Sequence, residues 1–126
     1  MKENLKILIA DDNELMRMVM RGFFVKYLVS PHIKQTTNLL DTQNLLREEK
    51  FDLLLLDINM PNGDSSPQTI IDFIKEHPSL KIIMFSGNDK KTLGPAYLAA
   101  GAIGFIQKDE HMNTYAKEII ETLLYN

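Results

Sequence analysis

Five short apolar segments alternate along the chain with segments in which apolar residues recur every three or four positions. The apolar segments are LKILIA from Leu5, HIKQT from His32, FDLLLLD from Phe51, KIIMFS from Lys81 and AIGFIQK from Ala102. Runs of this length predict strands, and the continuous apolar stretches at 5–9 and 53–56 suit strands buried on both faces of a sheet. The pattern therefore predicts five strands separated by helices.

The intervening segments carry local signals for where helices begin. Asn13 is a predicted N-cap of the first helix, and Ser66 followed by Pro67 matches a cap residue with proline at the first helical position. The segment 38–49 predicts a weaker helix. Pro95 predicts that the fourth helix begins near this proline or has an irregular first turn. Apolar residues at helical spacing are clearest in the first and last helices: Met16, Val19, Met20, Phe23 and Tyr27, then Met112, Ala116, Ile119 and Leu123.

Strands that alternate with helices favour an α/β fold, a doubly wound five-stranded parallel sheet with right-handed crossovers and helices on both faces. A length of 126 residues predicts a single domain. In such open sheets, ligands bind beyond the carboxyl ends of the strands. The side chains that end or follow each strand are therefore the candidate functional residues.

Polar side chains with distinct chemistry occupy these positions. The first strand leads into Asp11 and Asp12, the third into Asp57, the fourth ends at Ser86 and the fifth at Lys108. If strands one and three are neighbours, three carboxylates converge and oppose one another's ionisation unless a cation intervenes. Mg²⁺ (or Mn²⁺), held by carboxylate and carbonyl oxygens, would relieve the repulsion. A serine hydroxyl and a lysine ammonium complete a site for an anion with several oxygens, such as a phosphoryl group.

These motifs resemble the receiver domain of bacterial two-component response regulators, and the resemblance covers essentially the whole chain. It rests on an acidic pair in ADDN, an acceptor aspartate in DINMP, a hydroxyl residue before a small residue in SGN, and a lysine with an aromatic residue three positions earlier in FIQK. The matching residues are Asp11, Asp12, Asp57, Ser86, Gly87, Phe105 and Lys108. The resemblance implies a flavodoxin-like strand order 2-1-3-4-5. The run GAIGFIQKD is closest to receivers of the LuxR type.

The resemblance also implies a function. Asp57 would accept a phosphoryl group from a histidine kinase or a histidine phosphotransfer protein. Mg²⁺ would be bound by Asp11, Asp12, Asp57 and the backbone carbonyl of Asn59, and the phosphoryl oxygens by Ser86, Gly87 and Lys108. Such a domain is a signalling phosphoacceptor that assists its own phosphorylation and dephosphorylation, and it is not an enzyme in the usual sense.

Further roles are implied by the same resemblance. On phosphorylation Ser86 would turn towards the new group and Phe105 would turn inward, and this pair is the expected switch. Asn59 and Asn88 would tune the rate at which water removes the phosphoryl group. Output would pass through protein contacts of the fourth helix, fifth strand and fifth helix, and a phosphorylation-dependent homodimer is an expectation of the family.

The chain departs from the family pattern in two places. The run NGDSSPQ after DINMP is one residue longer than usual, which predicts a reshaped loop. Asp109 follows Lys108 where proline is more common, so the isomer of this peptide bond does not follow from the sequence. LuxR-type regulators carry a helix-turn-helix domain downstream. Residues 1–126 are expected to form a single receiver without that output domain, either alone or as part of a longer regulator.

Composition limits the partners and the location. The formal net charge is −3, so binding to nucleic acid by this domain has no electrostatic support. The chain has no cysteine, and no apolar run approaches the roughly 18–20 residues that cross a bilayer. We expect a cytoplasmic domain that binds neither nucleic acid nor membrane.

Three alternative functions share some of these features. A haloacid-dehalogenase-type phosphatase needs a second aspartate two residues after its nucleophile, where Asn59 stands. A flavodoxin-like FMN carrier needs a phosphate-binding loop after strand one, where ADDNELMR is acidic. The third alternative, a receiver-like module that interacts with partners without phosphorylation, is the main competitor.

Overall fold

In the computed structural model, the described residues, 4–123, form five strands that alternate with five helices. The strands β1 to β5 are Lys6–Ala10, His32–Thr36, Leu53–Leu56, Lys81–Ser86 and Gly104–Gln107. The helices α1 to α5 are Glu14–Tyr27, Leu39–Glu48, Pro67–Glu76, Lys90–Ala100 and Met112–Leu123. All five predicted strands are therefore present, with ends that differ by a few residues from those of the apolar runs.

The strands form one parallel sheet in the order β2-β1-β3-β4-β5, which confirms the predicted fold class and strand order. Ala10 pairs with Leu56, and Ser86 pairs with Gln107. This register places the residues that follow β1 and β3 side by side. It also brings the end of β4 level with the end of β5. The sheet thus gathers the candidate residues at one edge.

Helices cover both faces of the sheet, and each face has its own hydrophobic cluster. Helices α2, α3 and α4 pack over one face, and α1 and α5 pack over the other. The four leucines of β3 alternate between the two clusters and are at most 1% exposed. Each leucine buried in this way contributes about 1.5–3 kcal/mol. The central strand is therefore a rigid support for the residue that follows it, Asp57.

The predicted helix starts at Asn13, Asn38 and Ser66 are confirmed. The Asn13 side chain accepts a hydrogen bond from Met16 N, and that of Asn38 accepts one from Asp41 N. Ser66 and Thr69 form a reciprocal capping box, with Pro67 as the first residue of α3. These caps satisfy backbone donors that have no partner within the helix.

Of the two alternatives predicted for α4, a start near Pro95 or an irregular first turn, the start near Pro95 is wrong. The helix begins upstream, at Lys90, because Asp89 caps it: its Oδ1 accepts Lys91 N and its Oδ2 accepts the Thr92 hydroxyl. In its first turn the Asp89 carbonyl accepts two hydrogen bonds, one of the 3₁₀ type from Thr92 N and one of the α-helical type from Leu93 N. Pro95 lies inside the helix and is exposed. A good cap upstream thus outweighs the bond that proline cannot donate.

Two further features of the described residues bear on the sequence predictions. Their peptide bonds are all trans, including that between Lys108 and Asp109. None of their helices is both long enough and apolar enough to cross a bilayer.

Substitution by alanine should change the stability of the protein in opposite directions at two glycines. Gly101 ends α4 with φ +123°, and an added Cβ would lie 2.5 Å from Ile74 Cδ1. Gly22 lies in α1 and has open space around it. We expect Gly101→Ala to lower the free energy of unfolding by about 1–3 kcal/mol, and Gly22→Ala to raise it by about 0.5–1 kcal/mol. Denaturant unfolding measures both free energies. Equal midpoints for the two variants would contradict the left-handed backbone of Gly101 and the helical backbone of Gly22.

Candidate functional site

Three carboxylates meet at the carboxyl edge of the sheet, as the sequence predicted for neighbouring strands β1 and β3. Asp57 N donates to the Ala10 carbonyl at 2.9 Å, which ties the end of β3 to the end of β1. Ligand oxygens of Asp11, Asp12 and Asp57 all lie within 4.8 Å of one another. Asp11 and Asp57 are buried, whereas Asp12 is exposed. The cluster is therefore open to solvent through one of its three members.

Lys108 supplies the positive charge of this cluster. Its Nζ lies 2.8 Å from Asp11 Oδ2 and 3.4 Å from Asp57 Oδ2. The side chain crosses the Phe85 ring, with Nζ 5.1 Å from the ring centroid. Lys108 N also donates to the Ser86 carbonyl at 2.8 Å. One ammonium thus faces two buried carboxylates from the end of β5.

The two oxygens of Asp11 differ in their partners. Oδ1 accepts a hydrogen bond from Asn13 N at 2.9 Å. Oδ2 is buried, and within the described residues it makes no hydrogen bond but lies 2.8 Å from the Lys108 ammonium. An oxygen in this condition, beside two other carboxylates, fits a hard divalent cation such as Mg²⁺.

The surroundings of Asp57 disfavour its charge. Burial raises the pKa of Asp57 from 3.8 to about 6; the Lys108 charge opposes that rise, and the Asp11 charge adds to it. Asn59 N donates weakly to Asp57 Oδ1 at 3.4 Å. The lysine alone therefore leaves the cluster short of positive charge, and a bound cation would correct this.

The residues predicted around a bound anion lie on the β4–α4 side of the cluster. Ser86 is fully buried, and its Oγ accepts Asn88 N at 3.1 Å. Asn88 Nδ2 donates to Asn59 Oδ1 at 2.9 Å, so the two asparagines assigned to one role are in direct contact. Gly87 is exposed, and an added Cβ would meet nothing within 4 Å. The backbone at Gly87 is therefore open to an approaching group.

Phe105 is 1% exposed and lies in the inward position that the sequence analysis expected of the phosphorylated protein. Its ring packs against Tyr97 with centroids 6.2 Å apart and an interplanar angle of 61°. Gly94 of α4 faces this ring, since a Cβ added to the glycine would lie 3.9 Å from Phe105 Cγ. The aromatic residue of β5 is therefore in direct contact with α4.

Sequence reasoning missed two residues near the site. Ser65 is buried and donates from Oγ to the Asp57 carbonyl at 3.1 Å. Tyr97 donates from its hydroxyl to the Ser65 carbonyl at 2.9 Å. The sequence marked the loop NGDSSPQ as unusual, but nothing in it distinguished Ser65 from its neighbours or linked it to a residue in α4.

Two clefts of about 380 and 340 Å³ lie away from the acidic cluster. The first lies between the carboxyl ends of α2 and α3, and the second lies between α1 and α5. Neither cleft is lined by a residue of the acidic cluster.

The fold and the acidic cluster define a flavodoxin-like α/β domain with a candidate cation site at the carboxyl edge of its sheet. The family model for the response regulator receiver domain matches residues 7–120. The chain therefore belongs to the receiver domains of response regulators, which are signalling domains.

Known proteins agree with this assignment. The glycerol metabolism activator of Pseudomonas putida is 31% identical over 104 residues, which are 82% of this chain and 47% of that protein. A LuxR-family two-component response regulator from Aurantimonas sp. SI85-9A1 superposes with a TM-score of 0.83 at 17% identity, covering 98% of this chain and 86% of that one. The chain spans about half the length of the first curated relatives that it matches.

One similar structure carries a modification. A response regulator from Burkholderia pseudomallei was solved with a phosphorylated aspartic acid, a calcium ion and citrate. It superposes with a TM-score of 0.72 at 21% identity, covering 97% of this chain and 75% of that one. At this level of identity the likeness establishes the shared fold.

The raised pKa of Asp57 predicts a stability effect that depends on pH. Because ionised Asp57 is disfavoured in the fold, its cost is absent below about pH 4, grows as the pH rises to about 6 and is complete above that. Without divalent cations, we expect Asp57→Asn to raise the melting temperature at about pH 7 by at least about 3 °C. The gain should vanish near pH 4.

Glu118→Gln is the matched control, since it removes one negative charge from the exposed face of α5. Thermal unfolding followed by circular dichroism at several pH values measures the effect. A gain for Asp57→Asn that is independent of pH, or equal to that of Glu118→Gln, would contradict it.

Proposed function

We propose that this domain accepts a phosphoryl group on Asp57 from the phosphohistidine of a histidine kinase or a histidine phosphotransfer protein. The observation that carries the proposal is the Asp57 carboxylate, with the Lys108 ammonium 3.4 Å away and two more carboxylates close enough to share a cation with it. The phosphorylated aspartic acid of the Burkholderia protein supports it.

Asp11, Asp12 and Asp57, with the carbonyl of Asn59, would hold Mg²⁺ (or Mn²⁺). Oδ2 of Asp11 supports this ligand set, because it is buried and, within the described residues, makes no hydrogen bond beside its ion pair with Lys108. When bound, the ion neutralises charge on the carboxylates and on the transferred oxygens, as in other phosphoryl transfers.

The residues of the chain would carry out the transfer as follows. An oxygen of Asp57 attacks phosphorus in line, the phosphorus–nitrogen bond to the donor histidine breaks, and its electron pair returns to the imidazole. Lys108 and the Ser86 hydroxyl stabilise the equatorial oxygens, and Gly87 leaves room for them. Lys108 would turn from Asp11 towards these oxygens, and a cation held by Asp11 would compensate the charge that the lysine leaves.

The same residues would set how long the signal lasts. Water would attack phosphorus from the solvent side of the site, so that the bond from phosphorus to the Asp57 oxygen breaks, the carboxylate is restored and inorganic phosphate leaves. The hydrogen-bonded pair Asn59 and Asn88 borders that side, so it would restrict or orient the water. In this way the domain would influence its own dephosphorylation.

Output would pass through the face formed by α4, β5 and α5. Phosphorylation adds about −1.5 to −2 charges, and Ser86 would exchange its bond with Asn88 N for one with the new group. Phe105 would hold the inward position that accompanies this change. Contacts with a partner, or a homodimer, would then form on this face, and residues 1–126 would act in the cytoplasm as one receiver domain without direct binding to DNA.

The second candidate is a receiver that interacts without phosphorylation. One observation favours it: Phe105 already lies inward and packed against Tyr97. A protein whose output face is already in this arrangement could bind its partner without a phosphoryl group. The two functions differ in whether a phosphoryl analogue binds.

Binding of beryllofluoride with Mg²⁺ tests the proposed function directly. The titration is followed by amide NMR. We expect chemical-shift changes at Asp57, Ser86, Phe105 and Lys108 that require Mg²⁺ and vanish in Asp57→Ala. Asp72→Ala, which removes an exposed acid from α3, is the control and should bind as the wild type does. No binding to the wild type at saturating Mg²⁺ would favour the interaction-only receiver.

Removal of Lys108 should separate binding of the cation from binding of the anion. We expect Lys108→Ala to weaken beryllofluoride binding by about 10- to 100-fold, because a charged hydrogen-bond donor is lost. Mg²⁺ should bind at least as tightly as to the wild type, because the ammonium near Asp11 Oδ2 no longer competes with it. Calorimetric titration measures both.

Lys91→Ala removes an exposed lysine from α4 and is the control for the lost charge. It should leave both affinities unchanged. Weaker Mg²⁺ binding in Lys108→Ala would show that the lysine supports the cation site and does not compete with it.

A further inference from the structure

We propose that Ser65 and Tyr97 are positioning residues of the phosphoacceptor site, and that their two buried hydrogen bonds couple the loop carrying Asn59 to α4. The inference rests on the proposed role of Asp57. It adds a connection between the site and α4 that does not pass through Ser86 and Phe105.

Ser65 bonds back to the residues that begin the segment 57–65, so that this segment forms a closed loop. Its Oγ donates to the Asp57 carbonyl at 3.1 Å, and its N donates to the Ile58 carbonyl at 2.9 Å. The chain can turn back to it because Asn62 and Gly63 adopt positive φ values of 65° and 143°. Asn59, whose carbonyl is the proposed ligand, lies inside the closed segment. Its position is therefore fixed by Ser65 on one side and by the end of β3 on the other.

Tyr97 ties this closed segment to α4. Its hydroxyl donates to the Ser65 carbonyl at 2.9 Å, across 32 residues of sequence. Ser65 is 3% exposed and Tyr97 is 4% exposed, so water cannot readily replace this bond. Burial and the nearby charge of Asp64 raise the pKa of the Tyr97 hydroxyl, which keeps it protonated and able to donate.

The position of Tyr97 makes the link relevant to signalling. Its ring also packs against Phe105, which itself lacks a hydroxyl. One residue of α4 thus contacts both the loop after the phosphoacceptor and the proposed switch residue. A shift of segment 57–65 when Asn59 meets a cation would pull directly on α4.

Tyr97→Phe removes this hydroxyl and keeps the ring. In the protein without ligands, we expect the amide of Ser65 to exchange with solvent about tenfold faster, because the loop loses its anchor. A tyrosine that only packs within α4 would change exchange in α4 alone. That result would overturn the proposal, as would an unchanged Ser65 amide. Tyr115→Phe, which removes a hydroxyl from α5, is the matched control.

The ligand-bound protein provides the second readout. With beryllofluoride and Mg²⁺, we expect the shifts of residues 93–100 to fall to less than about half of their wild-type size in Tyr97→Phe, while those of Asp57 and Asn59 persist. Shifts of full size in α4 would overturn the coupling. If the wild type binds no beryllofluoride, the proposed function fails, and Ser65 exchange still decides whether Tyr97 anchors the loop.

Ser65→Ala tests the other end of the link. We expect the dissociation constant for Mg²⁺ to rise about tenfold, because the segment carrying Asn59 is no longer fixed, with Ser79→Ala, an exposed loop serine, as the control. Amide NMR spectra confirm that both variants are folded. An unchanged dissociation constant in folded Ser65→Ala would remove Ser65 from the positioning role.

Discussion

The close approach of three carboxylates at the end of a parallel sheet is the constraint on which the rest of the structure depends. At a separation near 5 Å and an effective dielectric constant near 20, each pair of unit charges repels by about 3 kcal/mol. Lys108 offers one positive charge against Asp11, Asp12 and Asp57. Two negative charges of the cluster are left without an ion-pair partner among the described residues, a balance that would favour a bound cation.

The hydrophobic core tolerates this repulsion because it fixes the backbone beneath the acids. The leucines of β3 are buried in two separate clusters, so neither face of the strand can relax towards solvent. Asp57 follows without a break and is held to Ala10 by a backbone hydrogen bond. A loop could move its acid away from its neighbours, whereas the central strand cannot. The carboxylates therefore remain close together in spite of their repulsion.

The polar residues that would respond to a ligand lie on the loops at this edge. Ser86 bonds to Asn88 and Asn88 bonds to Asn59, and both contacts join residues outside the regular helices or at strand ends. Such contacts exchange partners at low cost compared with repacking of the core. The domain thus combines a rigid acidic cluster with adaptable surroundings, the combination that a ligand-dependent switch requires.

The sequence by itself determined the strands, their parallel arrangement and the gathering of Asp11, Asp57 and Lys108, because the carboxyl ends of parallel strands lie at one edge whatever path the loops take. It predicted caps at Asn13 and Ser66, since a cap needs only neighbours in sequence. The start of α4 was misjudged because the penalty for Pro95 was weighed without the cap at Asp89.

Only the tertiary structure decided the contact between Asn59 and Asn88, the inward position of Phe105 and the bond from Tyr97 to Ser65. Each depends on the course of a loop and on the height at which a helix packs over the sheet. These quantities follow from the packing of the whole core, and no local pattern of residues encodes them. The ring of Phe105 packs against Tyr97 only once α4 lies over the sheet. The two hydrogen bonds between distant residues form only where the packed fold brings donor and acceptor within about 3 Å.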